Sequence, residues 1–407
     1  MVKFSLYGFL KNLRLYEPFI ILLFREQGLS FLQIGLLYSI RDVATNIIEI
    51  PSGLFADAFG RKKSMLFSLS AYIVSFIIFY LFSGFFPYAM AMLLFAVGEA
   101  FRTGTHKALI LEYLHINGLT NKKVLYYGRT RAASQFGSAI NSLLAAALVF
   151  YTGNYRYVFL ATALPYVLNM FNLAAYPKEL DGKVIHLEKG TWTKQIKETL
   201  NLFFVLVKDR DAMRAILNSA SFTAFFKSTK DYLQPMLRMF VVSLPLLLDL
   251  NDTRRTAVII GIVYFLIYML TSWASRSSER ISKHFKNMAQ AINITFWAGA
   301  LFLLFAGAAL HLHLVLTSIL VLAGLYVVQN IRKPMNVAYI SDRIANKVMA
   351  SGLSVESQMT TILMALFSPL LGLFADRFGI GIALAGLAGI MLLSSALLRV
   401  NNQKGRP

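Results

Sequence analysis

Long apolar stretches separated by short polar segments dominate the chain. The first half holds six of them, at residues 4–24, 31–55, 65–82, 88–113, 132–151 and 157–176. Six more follow at residues 215–242, 257–275, 289–310, 312–329, 353–374 and 380–398. About 20 apolar residues in a helix are enough to cross the hydrocarbon of a bilayer. The pattern therefore predicts an all-α, multi-pass membrane protein with twelve transmembrane helices.

One long polar segment, residues 177–214, divides these spans into two sets of six. We expect an N-terminal six-helix bundle at 1–176, a central loop at 177–214 and a C-terminal six-helix bundle at 215–407. Within the loop Ile196, Leu200 and Val207 recur at helical spacing. This predicts an amphipathic helix, either lying on an anionic membrane face or packed beneath the bundle.

The basic residues of the loops are distributed unevenly between the two sides of the predicted topology. One side holds Arg61, Lys62, Lys63, Lys122, Lys123, Arg276, Arg280, Lys283 and Lys286, whereas the other holds Arg25, Arg156, Arg254, Arg255 and Arg377. Loops rich in Lys and Arg face the cytoplasm. Both termini are therefore expected to be cytoplasmic, in a plasma or inner cell membrane.

Composition agrees with this topology and narrows the chemistry. The 407 residues are 57% hydrophobic and 15% charged, far from the balance of a soluble enzyme. The net charge of +20 is explained by the loop asymmetry, so no nucleic-acid partner is expected. The chain has no Cys, and its six His residues have no nearby ligands, so we expect no metal and no cofactor. No P-loop pattern supports ATP-driven pumping.

The loop after the second span carries a recognisable motif. It contains Gly53, Asp57, Gly60, Arg61 and Lys62. This resembles the G-x-x-x-D-R-x-G-R-K/R signature between helices 2 and 3 of the major facilitator superfamily, with Ala58 in place of the usual Arg. The fourth span, which ends at Glu112, is similar to helix 4 of the same superfamily. The resemblance implies two pseudo-symmetric six-helix bundles and solute transport by alternating access.

The resemblance also implies a role for the motif. Gly53, Asp57, Gly60, Arg61 and Glu112 would form a conformational latch on the cytoplasmic side. Gly53 is expected to permit close helix approach, Asp57 to cap a neighbouring helix, and Arg61 to reach Glu112. The alternative is that the basic residues only set the topology.

A second copy of the motif lies near the C-terminus. The eight residues from Gly53 to Gly60 recur, with one difference at Ala58, from Gly372 to Gly379. The two copies end spans 2 and 11. Inverted three-helix repeats within each half make these spans equivalent, so the repeated motif supports the repeat architecture.

Several spans carry ionisable residues near their centres. These are Lys11, Arg14 and Glu17 in the first span, Arg41 and Asp42 in the second, Glu99 and Arg102 in the fourth, and Lys227, Lys230 and Asp231 in the seventh. A charge near the bilayer midplane costs several kcal/mol, about 2.5–3.5 on insertion scales, and is a functional candidate by default. Spacings of three are expected to place Lys11, Arg14 and Glu17 on one helical face, and Glu99, Arg102 and His106 on another.

These clusters define the expected site. We assign substrate binding to Lys11, Arg14, Arg41, Arg102, Lys227, Lys230, Gln329 and Asn330. We assign proton coupling to Glu17, Asp42, Glu99 and Asp231, with Glu99 and Asp231 preferred. The basic residues outnumber the acids in the four clusters, which favours an organic anion as the substrate. Permanent ion pairs that never change protonation are the competing interpretation for both acids.

The sequence thus predicts a proton-coupled secondary transporter of a small solute, working as a monomer in the lipid bilayer, and not an enzyme. Two alternatives stay open. One is efflux of a drug-like cationic or neutral amphiphile by proton antiport. The other is a non-transporting receptor or scaffold on the same fold.

Overall fold

A computed structural model describes residues 1–103, 105–119, 122–181, 209–245, 247–341 and 349–401. Within these ranges the chain is helical and contains no strand. The predicted amphipathic helix of the central loop lies outside the described residues.

The helices of the first half begin with a pair of short segments. They are α1 (Val2–Lys11), α2 (Ile20–Glu26), α3 (Phe31–Phe59), α4 (Arg61–Leu81), α5 (Phe85–Arg102), α6 (Thr105–Ile116), α7 (Lys123–Thr152) and α8 (Tyr157–Ala174). The second half contains α9 (Arg210–Thr229), α10 (Leu233–Ser243), α11 (Asp252–Ser282), α12 (Met288–His311), α13 (Val315–Ser341) and α14 (Met349–Leu397). Short 3₁₀ turns lie at Lys178–Asp181 and Lys230–Tyr232.

These helices match the twelve predicted spans in position. Eight of the described helical stretches are long and apolar enough to cross a membrane. The predicted boundary between the ninth and tenth spans is confirmed, since α12 ends at His311 and α13 begins at Val315. Spans 11 and 12 run together as α14, in which Gly379 interrupts the helical dihedral angles.

Three predicted spans are not continuous helices. The first is α1 and α2 separated by residues 12–19, the fourth is α5 and α6, and the seventh is α9 and α10 with the 3₁₀ turn between them. Each break falls within the charged cluster of its span or, in the fourth span, directly after it. The expected shared helical faces are therefore wrong: Arg14 and Glu17 lie in the break that follows Lys11, and His106 lies beyond the break that follows Arg102.

Contacts between Cα atoms divide the chain into two compact units. The first comprises Met1–Leu29, Ile40–Lys194 and Pro245–Tyr268, and the second comprises Ser30–Ser39, Gln195–Leu244 and Met269–Pro407. The helices α3 and α11 are each shared between the two units. The predicted domains 1–176, 177–214 and 215–407 follow chain order and stay a prediction.

In the first unit, α4 packs against α5 and α8, and α1 packs against α7 and α8. Rings fill the centre of this unit: Tyr16, Phe76 and Phe159 stack or tilt against one another within 6.4 Å between centroids. In the second unit, α14 packs against α9 and α12, and α12 also packs against α13. Close approach there depends on small residues, since a Cβ at Gly307 would lie 2.6 Å from the backbone of Ala385.

The repeated motif has the same backbone geometry in both copies. Gly60 separates α3 from α4 with φ 100° and ψ 140°, and Gly379 interrupts α14 with φ 83° and ψ 160°. Only glycine adopts this region without strain. The two copies of the motif thus mark two equivalent helix breaks.

We predict that Gly379→Ala lowers the stability of the protein by about 1–3 kcal/mol, because a Cβ is strained at this backbone conformation. The melting temperature of the detergent-solubilised protein measures the effect. Gly389→Ala in the same helix is the matched control: an added Cβ meets nothing within 4 Å there, and alanine favours the helix. An equal response of the two variants would contradict the strain argument.

Candidate functional site

In the first unit, the break in the first span comes together with the break in the fourth. The carboxylate of Glu99, near the end of α5, accepts hydrogen bonds from Arg102 and from the hydroxyl of Tyr72 in α4. Arg14 approaches it from the break between α1 and α2, with 3.8 Å between Nη2 and Oε2. Lys11 interacts electrostatically with Arg102, Arg14 and Glu99. We call Lys11, Arg14, Glu99, Arg102 and Tyr72 the Glu99 cluster.

The Glu99 cluster has more cations than anions. Three basic side chains surround one carboxylate, and Lys11 forms no salt bridge within the part of the chain that the structure describes. The Nε atom of Arg14 is buried and has no hydrogen-bond partner among the described residues. Buried cations without full compensation are costly, so the cluster can accept a further anionic group.

The break that carries Arg14 is stabilised by a neighbouring helix. Asn141 of α7 donates from Nδ2 to the carbonyl oxygen of Arg14 at 3.0 Å. The same carbonyl oxygen also accepts from the backbone N–H of Glu17, so the Asn141 side chain adds a second donor at the break. Glu17 lies three residues further along the same break and is half-buried.

The charges of the second span lie beside this cluster without joining it. Arg41 and Asp42 form a salt bridge of 2.8 Å, and Asp42 is 5% exposed. The guanidinium of Arg41 lies 6.0 Å from the ring centroid of Phe95. Phe95 in turn packs edge-on against Tyr72. One aromatic ring therefore separates Arg41 from the Glu99 cluster.

In the second unit, the break of the seventh span carries its own ion pair. Lys230 Nζ and Asp231 Oδ1 are 2.5 Å apart, and Tyr38 donates to the other oxygen of Asp231 at 3.5 Å. The hydroxyl of Tyr326 donates to the carbonyl oxygen of Lys230 at 2.8 Å. As in the first unit, a neighbouring side chain hydrogen-bonds to a carbonyl at the helix break.

The other expected residues of the second unit are more scattered. Gln329 is 8% exposed and donates to Thr223 at 3.4 Å, while the amide of Asn330 donates back to the carbonyl oxygen of Tyr326. Lys227 is exposed and interacts electrostatically with Glu356. The structure therefore does not gather Lys227, Gln329 and Asn330 around one point.

Arg332 was missed by the sequence analysis. Hydropathy ended the tenth span at Gln329, but α13 continues to Ser341 and Arg332 is completely buried. Its guanidinium donates to Asn218, to Thr295 and to the carbonyl oxygen of Ile292. The rings of Phe222 and Phe296 lie 4.2 and 5.1 Å from it. Cation–π contacts and neutral acceptors thus take the place of a carboxylate.

Tyr72 and Tyr7 were also missed. Tyr72 stands in a span without charges, so nothing in its sequence surroundings marked it. Tyr7 lies four residues before Lys11, a spacing that does place two side chains on one face of α1. Its ring stacks on His106 with 3.7 Å between centroids.

One of the contacts expected among the latch residues is present. Arg61 and Glu112 form a salt bridge of 3.1 Å, and Gly60 separates α3 from α4. Gly53 does not permit a close helix approach, because a Cβ there would meet nothing within 4 Å. The side chain of Asp57 lies outside the described residues.

The capping role expected of Asp57 is performed by its counterpart in the second copy. Asp376 accepts hydrogen bonds from the backbone N–H groups of Phe31 and Leu32, at 2.9 and 2.8 Å. A Cβ at Gly372 would lie 2.2 Å from the carbonyl oxygen of Phe31, so glycine is needed for this approach. The first turn of α3 is therefore held by the end of span 11.

Comparison with known proteins agrees with this architecture. The sequence model described as Major Facilitator Superfamily matches residues 11–357. The chain belongs to the Major Facilitator Superfamily. An uncharacterized MFS-type transporter, YxaM of Bacillus subtilis (strain 168), is 31% identical over 98 residues, which are 22% of this chain. That match spans 23% of the relative's length.

Solved structures of the superfamily share the fold along the whole chain. A nucleoside transporter, NupG, matches with a TM-score of 0.76 at 13% identity, over 98% of this chain and 97% of its own. A D-xylose-proton symporter matches with a TM-score of 0.70 at 14% identity, over 100% and 98%. A peptide transporter, POT, in complex with sulfate matches with a TM-score of 0.69 at 14% identity, over 98% and 94%. These matches show that the chain has the superfamily fold. Membership of the superfamily indicates solute transport across a membrane and not enzymatic catalysis.

We predict that Glu99→Gln destabilises the protein, because it leaves Arg14 and Arg102 buried without their shared carboxylate. The cost should be about 1–3 kcal/mol, below the roughly 3–5 kcal/mol of a fully buried pair, since the Glu99 side chain is 29% exposed. Thermal unfolding in detergent measures it. Glu279→Gln, which breaks an exposed pair with Lys283, is the control and should leave the melting temperature unchanged. Wild-type stability in Glu99→Gln would refute the role assigned to this carboxylate.

Proposed function

We propose that the chain is a secondary active transporter of a small organic anion, driven by protons and working by alternating access between an N-terminal and a C-terminal six-helix domain. The observation that carries the proposal is the Glu99 cluster, where Arg14 and Arg102 share one carboxylate and Lys11 adds a further basic side chain. In superfamily transporters the substrate site lies near the membrane midplane, at discontinuous helices. The breaks in the first and fourth spans give the cluster that setting.

The charge balance favours an anion over a cation as the substrate. A cationic solute entering the Glu99 cluster would meet Lys11, Arg14 and Arg102 and only one acid. A carboxylate or phosphate would instead satisfy the buried Nε atom of Arg14 and compensate the surplus charge. Arg41 and Lys230 are proposed as further substrate-binding cations, together with Lys227, Gln329 and Asn330.

Proton coupling is proposed through Glu99 and Asp231, with Glu17 and Asp42 as further acids. Each of the two preferred acids has a basic neighbour, Arg102 and Lys230 respectively. A proton on the acid and an anion on the base can therefore replace the ion pair together. This exchange links protonation to substrate binding, since a ligand shifts an equilibrium only through its different affinity for the two states.

The cluster of Gly53, Asp57, Gly60, Arg61 and Glu112 is proposed as a conformational latch. The salt bridge of 3.1 Å between Arg61 and Glu112 supports it, because that bond ties the start of α4 to α6. The orientation with both termini cytoplasmic, in a plasma or inner membrane, and the monomeric state are proposed from the sequence alone.

Arg14→Gln tests the substrate class. Anionic, cationic and neutral solutes are screened for thermal stabilisation of the purified protein, and those that bind are followed as radiolabelled uptake into proteoliposomes. We expect anionic solutes to bind the wild type. Arg14→Gln should reduce their uptake at least about tenfold, because it removes one charge-assisted hydrogen bond to the substrate. Arg14→Lys should restore part of the uptake. Lys283→Gln, at an exposed position, is the control, and its uptake should equal that of the wild type.

Two outcomes would contradict the proposal and favour one of the alternative functions. Binding of cationic or neutral solutes alone would favour efflux by proton antiport. Binding without flux of any solute would favour a receptor on the same fold.

Asp231→Asn tests the coupling. We expect uptake driven by an acidic exterior to fall to the level seen without a gradient, while exchange of labelled for unlabelled substrate continues, because exchange needs no net proton movement. Asp252→Asn, an exposed acid at the start of α11, is the control. Gradient-driven uptake that survives in both Asp231→Asn and Glu99→Gln would exclude these acids as the coupling groups.

A further inference from the structure

A cavity lies in the second unit between the start of α12 and the end of α14. Its volume is about 660 Å³, within the range of roughly 300–1,000 Å³ typical of ligand sites. The cavity is lined by Lys286, Asn287, Gln290, Asn293, Trp297 and Arg399, with six further residues. None of its twelve lining residues is acidic. It shares no residue with the Glu99 cluster or with the latch.

The wall formed by the chain after α14 is fixed in place. Asn293 donates to the carbonyl oxygen of Val400 at 2.8 Å and accepts from its N–H at 3.0 Å. Asn218 donates to the carbonyl oxygen of Leu398, and Tyr339 to that of Asn401, each at 2.8 Å. Arg399 therefore projects from a backbone that is held on both sides.

The opposite wall carries the second cation. Lys286 directly precedes Asn287, the residue that caps α12, and its backbone N–H donates to Gln290 at 2.9 Å. Both Lys286 and Arg399 are exposed, and neither forms a salt bridge among the described residues. Two cations that line the same cavity without an acidic neighbour favour the binding of an anionic group there.

The polar cavity opens onto an apolar face of α12. Ile294 and Trp297, which line the cavity, are 44% and 48% exposed, and Leu301 and Phe305 continue the same face. These residues follow one another at spacings of three and four, as one side of a helix does. In a superfamily member such an exposed apolar stripe faces lipid tails, and a Trp near its polar end is typical of the membrane interface.

We propose that this cavity binds the headgroup of an anionic phospholipid, with the phosphate attracted by Lys286 and Arg399 and an acyl chain along Ile294, Trp297 and Leu301. Basic pockets at the ends of transmembrane helices select lipids by charge in this way. The combination of facing cations, neutral amides and an adjoining apolar stripe fits a molecule with an anionic head and a hydrocarbon tail. A soluble phosphate would use the cations and leave the stripe unused.

Quenching of the Trp297 fluorescence by brominated lipids measures binding at this cavity. The chain has three Trp, so Trp192→Phe and Trp273→Phe leave Trp297 as the only tryptophan, which is excited selectively at wavelengths that tyrosine does not absorb. This protein is reconstituted in nanodiscs of phosphatidylcholine that contain a small fraction of dibrominated phosphatidylglycerol or, in a parallel series, dibrominated phosphatidylcholine. We expect the anionic lipid to quench Trp297 at a concentration about tenfold lower than the zwitterionic lipid, from two cations that each attract the headgroup.

The double variant Lys286→Gln/Arg399→Gln should abolish this preference. Arg280→Gln/Lys283→Gln is the matched control, because it removes the same charge from exposed positions that do not line the cavity. The control should quench as the wild type does, and both double variants should elute as monodisperse protein since all four side chains are exposed.

Three results would overturn the proposal: equal quenching by the two lipids, equal loss of preference in both double variants, or release of the preference by millimolar inorganic phosphate or glycerol phosphate. The last result would mean a site for soluble phosphate. None of these outcomes depends on transport, so the lipid site and the proposed transport function can fail separately.

Discussion

Every polar group inside the hydrocarbon of a membrane must find its partner within the protein, and this requirement governs the structure. Spans 1, 4 and 7 are each broken within or directly after a charged cluster, and a break exposes backbone groups as well as side chains. Asn141 and Tyr326 satisfy a carbonyl oxygen at two of these breaks. The helices that neighbour a break are thus as necessary to it as the charges themselves.

The two units meet the same requirement with different chemistry. In the first unit, Glu99 is shared by Arg14 and Arg102, so charges compensate one another only in part. In the second, Arg332 is held by amide, hydroxyl and carbonyl oxygens and by two aromatic rings. The surplus charge of the Glu99 cluster is accessible, whereas that of Arg332 is sealed in the core, which is why we place the substrate at the former.

The sequence predicted the number and order of the spans, because hydropathy over about 20 residues reports the cost of leaving water. It also predicted the pair of Arg61 and Glu112 and the repeated motif. The charged clusters themselves did not predict the breaks, since Lys11, Arg14 and Glu17 have a spacing that suits an intact helix, although Pro18 lies in the first break and Pro235 follows the third. The partners that stabilise a break, such as Asn141 for Arg14, are distant in sequence and show no local signal. Arg332 was misplaced because its charge lowered the hydropathy that defines a span.

The backbone that follows α14 has a practical consequence for protein engineering. Leu398, Val400 and Asn401 are each hydrogen-bonded through the main chain to side chains of three different helices. These residues follow the last helix, but a deletion that removed them would leave the side chains of Asn218, Asn293 and Tyr339 without these hydrogen-bond acceptors. A purification tag or fluorescent fusion should accordingly be joined beyond Asn401, and truncated expression variants should keep that residue.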